Sequence, residues 1–350
     1  MSGGILTRIH HFSLRNPSRF KSTKQPSLVE RRKEVNGGKW KELEDLSYGK
    51  RTMEHREMLK KTFMDLRRVL EKNSDMKLNE IGSYAVGASI PSSDLDVVLI
   101  PYANDEDEER IDEFNRKMKM TVFRQKILFP VARKLEQARL VKGHADVLLH
   151  PKVPIIKGTT RSGVRFDLQI GAIDTIYSTN YVRLAFQLDP RQILVYHWLR
   201  QQAEKHEIFG GRHNLLTSFH LYMLIIHFIQ ATKIVPVLLN EYALHVSRAC
   251  YWVDLIQEFR NGKNTVPPLY TREEVETWAP ALIEGFLQYY GKIDFTTKEI
   301  DVTRGIVKER RTNQLLLIEP FHDQDIGVCR VSNGATLMNK LFEKLTKSHC

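Results

Sequence analysis

Apolar positions along the chain follow two regimes that change over near residue 175. Within 39–73, Leu43, Leu46, Met53, Met58, Leu59, Phe63, Leu66 and Leu70 recur roughly at helical spacing, which predicts one or two amphipathic helices. A strand-like alternation at Leu78, Glu80 and Ile81 comes next, then the glycine-bearing stretch GSYAVGASIPSSDLDVVLIPY. FRQKILFPVARKLEQARL (123–140) is helical by period. ADVLLHPKVPIIKGTTRSGVRFDLQIG (145–171) reads as two short β segments joined by a Gly/Ser/Thr turn. Beyond 175 long helical periods take over: 183–206, 215–239, and an acidic start at Glu273–Glu276 leading into ALIEGFLQYYG. The pattern predicts a body of mixed strands and helices and then a helical domain.

Composition narrows this picture. A chain of 350 residues, 42% hydrophobic and 27% charged, is that of an ordinary globular protein. It is longer than one compact core usually spans. The most apolar stretch, Leu221–Ile229, contains His227 and falls far short of the roughly twenty residues of a bilayer span, so no membrane association is expected. Cys250, Cys329 and Cys350 form no CxxC or zinc-ligand spacing, so a reducing compartment is the default. The net charge of +11 points to polyanionic partners. Much of that charge sits in the first 35 residues. Residues 1–29 lack acidic side chains, which suits either a flexible basic arm or a mitochondrial transit peptide. Arg8 and Arg15 lie beside the Ile5, Ile9, Phe12 stripe, and Pro17 interrupts any helix. The acidic run Asp105–Glu109 reads as a solvated loop or helix start.

The candidate chemistry lies in IGSYAVGASIPSSDLDVVLI (81–100). Asp94 and Asp96 are two apart at the start of an apolar β run, so the period of two sets both carboxylates on one face. Two such carboxylates repel unless cations intervene, and hard divalent ions take carboxylate together with phosphate oxygens. Gly82 and Ser83, at a turn able to open a short helix, offer backbone N–H groups and a hydroxyl to phosphate. Two-metal phosphoryl or nucleotidyl transfer normally needs a third carboxylate, and Asp167, within the β segment VRFDLQI, is suited to supply it. A lone DxD pair is common in surface turns. The upstream Gly-Ser turn and the third strand-borne Asp favour a metal–nucleotide site.

Gly82-Ser83, Asp94-Leu-Asp96 and Asp167 resemble the signature of the DNA polymerase β-like nucleotidyltransferase superfamily, and within it the noncanonical poly(A) polymerases and terminal uridylyltransferases. The resemblance continues through VPIIK (153–157), STNYVRLAFQLDPR (178–191), LTSFHLYMLIIHFIQ (216–230), GFLQYYGKIDFTTKEIDVTRG (285–305) and LLLIEPF (315–321). It implies an α+β fold: a nucleotidyltransferase catalytic domain with a mixed sheet (38–175) and a mainly helical PAP-associated domain (176–350), with the active site in the cleft between them. Residues 1–37 form a basic tail or targeting segment, and the first helix of the catalytic domain is able to dock on the second. The implied activity is template-independent addition of AMP or UMP to RNA 3′ ends. Its cofactors are two Mg²⁺, replaceable by Mn²⁺, and its substrate is ATP or UTP. Asp94, Asp96 and Asp167 would bind the metals, with Asp167 activating the 3′-hydroxyl. Gly82, Ser83 and Ser93 would hold the triphosphate, Phe219 would stack on the base, Ser218 would contact phosphate, and Ser178 and Thr179 would contact ribose and phosphate. Read without the resemblance, Phe219 is a core aromatic, Ser178 and Thr179 cap a helix starting near Asn180, and His197, His220 and His227 are packing residues.

The chain also departs from the family. Relatives carry two lysines flanking the Trp that matches Trp198, and here those positions are Tyr196 and Arg200. Arg200 can pair with phosphate. Tyr196 loses a positive charge that Lys205 or Arg212 would have to replace. The relatives' IEDPF is Ile318-Glu-Pro-Phe321 here, and the position of a uracil-selecting histidine falls near Asp325 although His322 lies close by, which leans towards ATP. These departures leave a second reading open: a weak or inactive family member that binds RNA or assembles a complex. No RNA-binding module is recognised, so a single-stranded RNA 3′ end selected through an RNA-binding protein partner is expected. The location is expected to be cytoplasmic or nuclear, or mitochondrial if the tail is a transit peptide.

Overall fold

The computed structural model describes residues 41–101, 113–114, 116–149, 153–210, 216–235, 237–238, 272–310, 317–318 and 334–349. The basic tail, the Asp105–Glu109 run, Arg212, the Glu-Pro-Phe321 segment, His322 and Asp325 lie outside the described residues.

After a helical segment over 41–48, the first long helix, α1 (Lys50–Leu70), buries Leu59, Phe63, Leu66 and Leu70, which are spaced four, three and four apart and so form one stripe. That stripe packs in one core with Leu128, Ala132 and Leu135 of α3 (Thr121–Gln137) against a five-stranded sheet. The strands are β1 (Met76–Glu80), β2 (Leu95–Pro101), β3 (Asp146–Leu148), β4 (Ile155–Thr159) and β5 (Arg165–Ile170), with a four-residue helix α2 (Gly82–Ala85) between β1 and β2. Their spatial order is β1-β2-β5-β4-β3. In this sheet only β2 and β5 run parallel; the other pairs are antiparallel. The expected turn-joined pair over 145–171 is β4 and β5. The segment also holds β3, a correction to the two-strand expectation. At three residues β3 is too short to display an alternation.

The second core belongs to the helices α4 (Ile173–Leu188), α5 (Arg191–Lys205), α6 (Ser218–Ala231), α7 (Arg272–Tyr290) and α8 (Gly334–His349). In α6 every side chain from His220 to Gln230 is buried, which accounts for its near-continuous apolar sequence. Among the described residues no helix is long and apolar enough to cross a membrane. The hydrophobic pattern predicts no strand after 291, yet β6 (Lys298–Asp301), β7 (Ile306–Glu309) and β8 (Leu317–Ile318) form a small sheet ordered β7-β6-β8. Its carboxylates Glu299 and Asp301, fully and almost fully buried, pair with Lys308.

The two cores are sewn together near the Gly-Ser turn. Leu43, Val86 and Ala88 belong to the helical core. His197 of α5 donates from Nε2 to the Ala88 carbonyl at 2.9 Å, and its Nδ1 lies 2.5 Å from Ser47 Oγ. The three helical-core histidines are packing residues, as read from the sequence. His220 closes a capping box with Thr217 at the start of α6, and His227 Nδ1 meets the Tyr290 hydroxyl at 2.8 Å.

Burial pushes His197, His220 and His227 each down to about 4. An unfolded histidine titrates near ~6.5, so between about pH 6.5 and 4 the unfolded chain binds more protons than the folded one. The histidine contribution to stability is therefore full above pH ~6.5 and is lost as pH falls, with a slope of at most ~4 kcal/mol per pH unit if all three contribute. It is offset by ~1.4 kcal/mol per unit from Asp96, whose raised value of about 7 acts in the opposite direction. Urea unfolding at pH 7.5, 6.0 and 5.0 measures this; midpoints that do not move over that window would contradict it.

Candidate active site

Alternation along β2 and β5 divides their side chains between two environments. Leu95, Val97 and Leu99 with Phe166, Leu168 and Ile170 enter the sheet core. The intervening residues point to the other side. There Val98 and Ile100 are covered by Ile81 and by Ile176 of α4. Farther along the same face lie Asp96 and Asp167, paired directly in the parallel register. Neighbouring strands are about 4.8 Å apart, so these carboxylates are neighbours. Asp94 precedes β2 with the parity of Asp96, and Lys157 of β4 pairs across the antiparallel ladder with Asp167.

The electrostatics arise from this crowding. Asp96 is pushed up to about 7, first by burial, then by the charges of Asp167 and Asp94, with Lys157 opposing. Asp167 forms an ion pair with Lys157. Asp94 Oδ1 accepts a hydrogen bond from Arg165 Nε at 2.7 Å, and Arg165 Nη2 also reaches the Ser92 carbonyl at 3.2 Å. Among the described residues no group of His, Cys, Asp and Glu side chains converges as a ready-made metal cage. What the site offers is a set of hard carboxylate oxygens whose two outer members hold protein cations. That donor chemistry fits a magnesium-type ion, which takes one or two carboxylates and completes its shell with water and phosphate oxygens.

The Gly-Ser turn abuts these carboxylates. Gly82 has φ of 66°, and a Cβ on it would lie 2.5 Å from Asp96 Oδ2, so only glycine lets the turn sit against the carboxylate. Ser83 is in α2, half-buried. The Gly82 N–H points at Thr179 Oγ1, 3.4 Å away. Arg183, about one turn beyond Thr179 on the same helix, donates to the Ala85 carbonyl at 2.8 Å and to Glu80 at 2.6 Å. Because α4 begins at Ile173, Ser178 and Thr179 are interior helix residues, and the alternative that they cap a helix near Asn180 is set aside. Ser93 closes its own loop: its Oγ accepts from the Ile90 N–H at 2.9 Å, and its carbonyl accepts from His55 Nε2 at 2.9 Å. Arg56 binds the Ser89 carbonyl in the same loop.

The remaining candidates gather on the helical side. Ser218 and Phe219 begin α6 half-buried, so Phe219 packs against the core without belonging to its buried interior. Tyr196 is fully buried and donates from its hydroxyl to Ser218 Oγ at 3.0 Å, with its ring 4.4 Å from that of Tyr222. Burial, then Tyr196, pushes the Tyr222 hydroxyl well above the usual phenol range, and Asp96 adds a smaller push, which links this cluster to the carboxylates. Arg200 is committed to Glu204 at 2.9 Å and lies 5.2 Å over the Phe209 ring. Lys205, in the last turn of α5, is exposed.

Lys157, Arg165, Arg183, His55 and Arg56 carry no site role in the sequence pattern. Lys157 could have been found by counting outward from the 160–163 turn, which sets the register of β4 on β5. The others act through contacts between distant segments that no local pattern records.

No protein-family model matches the chain. Poly(A) RNA polymerase GLD2 of Rattus norvegicus is 27% identical over 188 residues, covering 50% of this chain and 37% of the relative. The gld-2 homolog A of Drosophila melanogaster is 25% identical over 166 residues, 45% of this chain and 12% of the relative. The match thus spans 37% of the length of the rat relative and 12% of the fly one. Among solved structures, the GLD-2/RNP-8 complex aligns at TM-score 0.59 and 18% identity over 91% of this chain and 96% of that one. mtPAP in complex with ATPgammaS aligns at 0.62 and 17% over 96% and 75%. Cid1 in complex with the UTP analog UMPNPP aligns at 0.62 and 16% over 90% and 93%. The chain has the fold shared by these nucleotidyltransferase structures, and over about half of its length its sequence is similar to poly(A) RNA polymerases.

Proposed function

We propose that this protein is a template-independent nucleotidyltransferase that extends RNA 3′ ends, with ATP as the nucleotide. The observation that carries the reading is the in-register pairing of Asp96 with Asp167 beside Asp94, against a Gly-Ser turn packed on the Asp96 carboxylate. ATP is chosen over UTP because the sequence likeness runs to poly(A) RNA polymerases. UTP is the runner-up, since a structure with a UTP analog shares the fold equally well. Asp94, Asp96 and Asp167 would hold two Mg²⁺, which when bound polarise the reacting phosphate and stabilise the leaving pyrophosphate. The chain's own contribution is positioning. Gly82 and Ser83 present N–H and hydroxyl donors to the triphosphate, Asp167 orients the attacking 3′-hydroxyl, and Phe219, partly exposed at the start of α6, offers a face for the base. RNA choice through a partner protein is in keeping with the GLD-2/RNP-8 complex.

A second reading, an RNA-binding or complex-assembling subunit without activity, is favoured by two observations. The buried phenol of Tyr196 stands where a cation is expected, and Arg200 is tied to Glu204. One assay separates the two: purified protein with labelled single-stranded RNA, Mg²⁺ and each nucleoside triphosphate in turn. Extension with ATP is expected, falling at least about 10³-fold, ~4 kcal/mol of transition-state stabilisation, in Asp94→Ala and Asp167→Ala variants that keep the wild-type melting temperature. Extension by Asp94→Ala within about tenfold of wild type overturns the assignment, and RNA binding by the wild-type protein without extension selects the second reading.

Gly82→Ala tests the turn. The left-handed backbone would cost about 1–2 kcal/mol of stability, and the new Cβ must displace the Asp96 carboxylate. Extension is expected to drop about 10²-fold, the order set by a misplacement near 1 Å. Wild-type rates in this variant would show that the turn does not set the carboxylate.

A further inference from the structure

We propose that Lys157 and Arg165 are internal counter-ions of the carboxylate triad, so that metal loading in this chain is a competition against its own side chains. The inference rests on the metal-binding reading above and assigns to these two cations the setting of metal affinity. Lys157 faces Asp167 directly across the β4–β5 ladder and ion-pairs with it. Arg165 lies two residues before Asp167 on β5, hence on the same face, and reaches Asp94 through Nε at 2.7 Å.

Charge balance sets the order of loading. Three carboxylates crowded on one face of the sheet carry up to three negative charges, and the two cations neutralise most of them in the absence of metal. A divalent ion coordinating the same oxygens is repelled by an ammonium or guanidinium already on them, so both side chains must withdraw. They are able to: the Lys157 side chain is 34% exposed and that of Arg165 63% exposed, so neither is locked by packing. Once displaced, each keeps its charge at the mouth of the site and is free to pair with phosphate oxygens. Free metal is therefore held weakly, and the site loads best when metal and polyphosphate arrive together. Lys157 and Arg165 are positioning residues in this account.

The test is Mn²⁺ binding to the full chain without nucleotide, read from the electron paramagnetic resonance signal of free Mn²⁺. Wild type, Lys157→Met, Arg165→Gln and the double variant are compared, with Asp96→Asn as the site control and melting temperatures recorded for each. Removing one unit charge near a divalent ion is expected to tighten binding about tenfold per substitution, an effect that loss of a merely structural contact would not produce. Asp96-dependent binding whose affinity is unchanged or weaker in the variants overturns the proposal while leaving the metal site intact. Binding that is absent from every protein tested, or present but indifferent to Asp96→Asn, overturns the metal reading and this inference with it. Should Lys157→Met fail to fold, Arg165→Gln, at an exposed position, decides the matter alone.

Discussion

The parallel register of β2 on β5 is the constraint on which the site depends. Leu95, Val97 and Leu99 can enter the sheet core beside Phe166, Leu168 and Ile170 only if Asp96 and Asp167 share the opposite face. A slip of β2 by one residue would turn Asp96 into that core and drive Leu95, Val97 and Leu99 out of it, leaving Asp167 without its partner. An unpaired buried charge costs several kcal/mol, so hydrophobic burial and carboxylate placement select the same register. The core therefore fixes the geometry of the site without any of its members touching a ligand.

That placement creates an electrostatic conflict that the fold must offset. Asp96 sits where burial and two neighbouring carboxylates all disfavour its charged form, and the opposing charge comes from Lys157. Gly82 sharpens the conflict, because the turn closes against the same carboxylate and leaves no room for a side chain. Local arrangements that disfavour their own charged state are common at functional sites, where a ligand later supplies the missing partner.

How much of the fold and site was legible in the sequence depends on the range of each interaction. Asp94, Asp96 and Asp167 could be read because their parity within apolar strands is a local property, and the helical half announced itself through long 3.6-residue periods. Cross-strand partners were harder. Lys157 becomes a neighbour of Asp167 only once a hairpin register is assigned, and Arg165 reaches Asp94 across a parallel pair whose strands are separated by about seventy residues of chain. The strands β6 and β7 escaped notice because Glu299 and Asp301, carboxylates buried by pairing with Lys308, break the apolar signature expected of buried strands. Phe219 shows the converse. Its apolar neighbourhood in sequence suggested a core residue, but the first turn of a buried helix still meets solvent.

The loop between the Gly-Ser turn and Asp94 is closed at its end by bonds between Ile90 and Ser93 and draws further support from both cores. Val86 and Ala88 are buried in the helical core, Arg183 and His197 hold its carbonyls from α4 and α5, and His55 and Arg56 hold it from α1. The donors reach backbone carbonyls in each of these bonds, so the loop's path is specified through its main chain. Any shift of the helical core relative to the sheet is thereby transmitted to the start of β2, where Asp94 and Asp96 stand. The position of the carboxylates along the sheet is set by strand register, and their approach to the helical side is set by this loop. The carboxylates and the aromatic cluster of α5 and α6 therefore stand within electrostatic reach of one another, as the push of Asp96 on the Tyr222 hydroxyl records, only while both cores are docked.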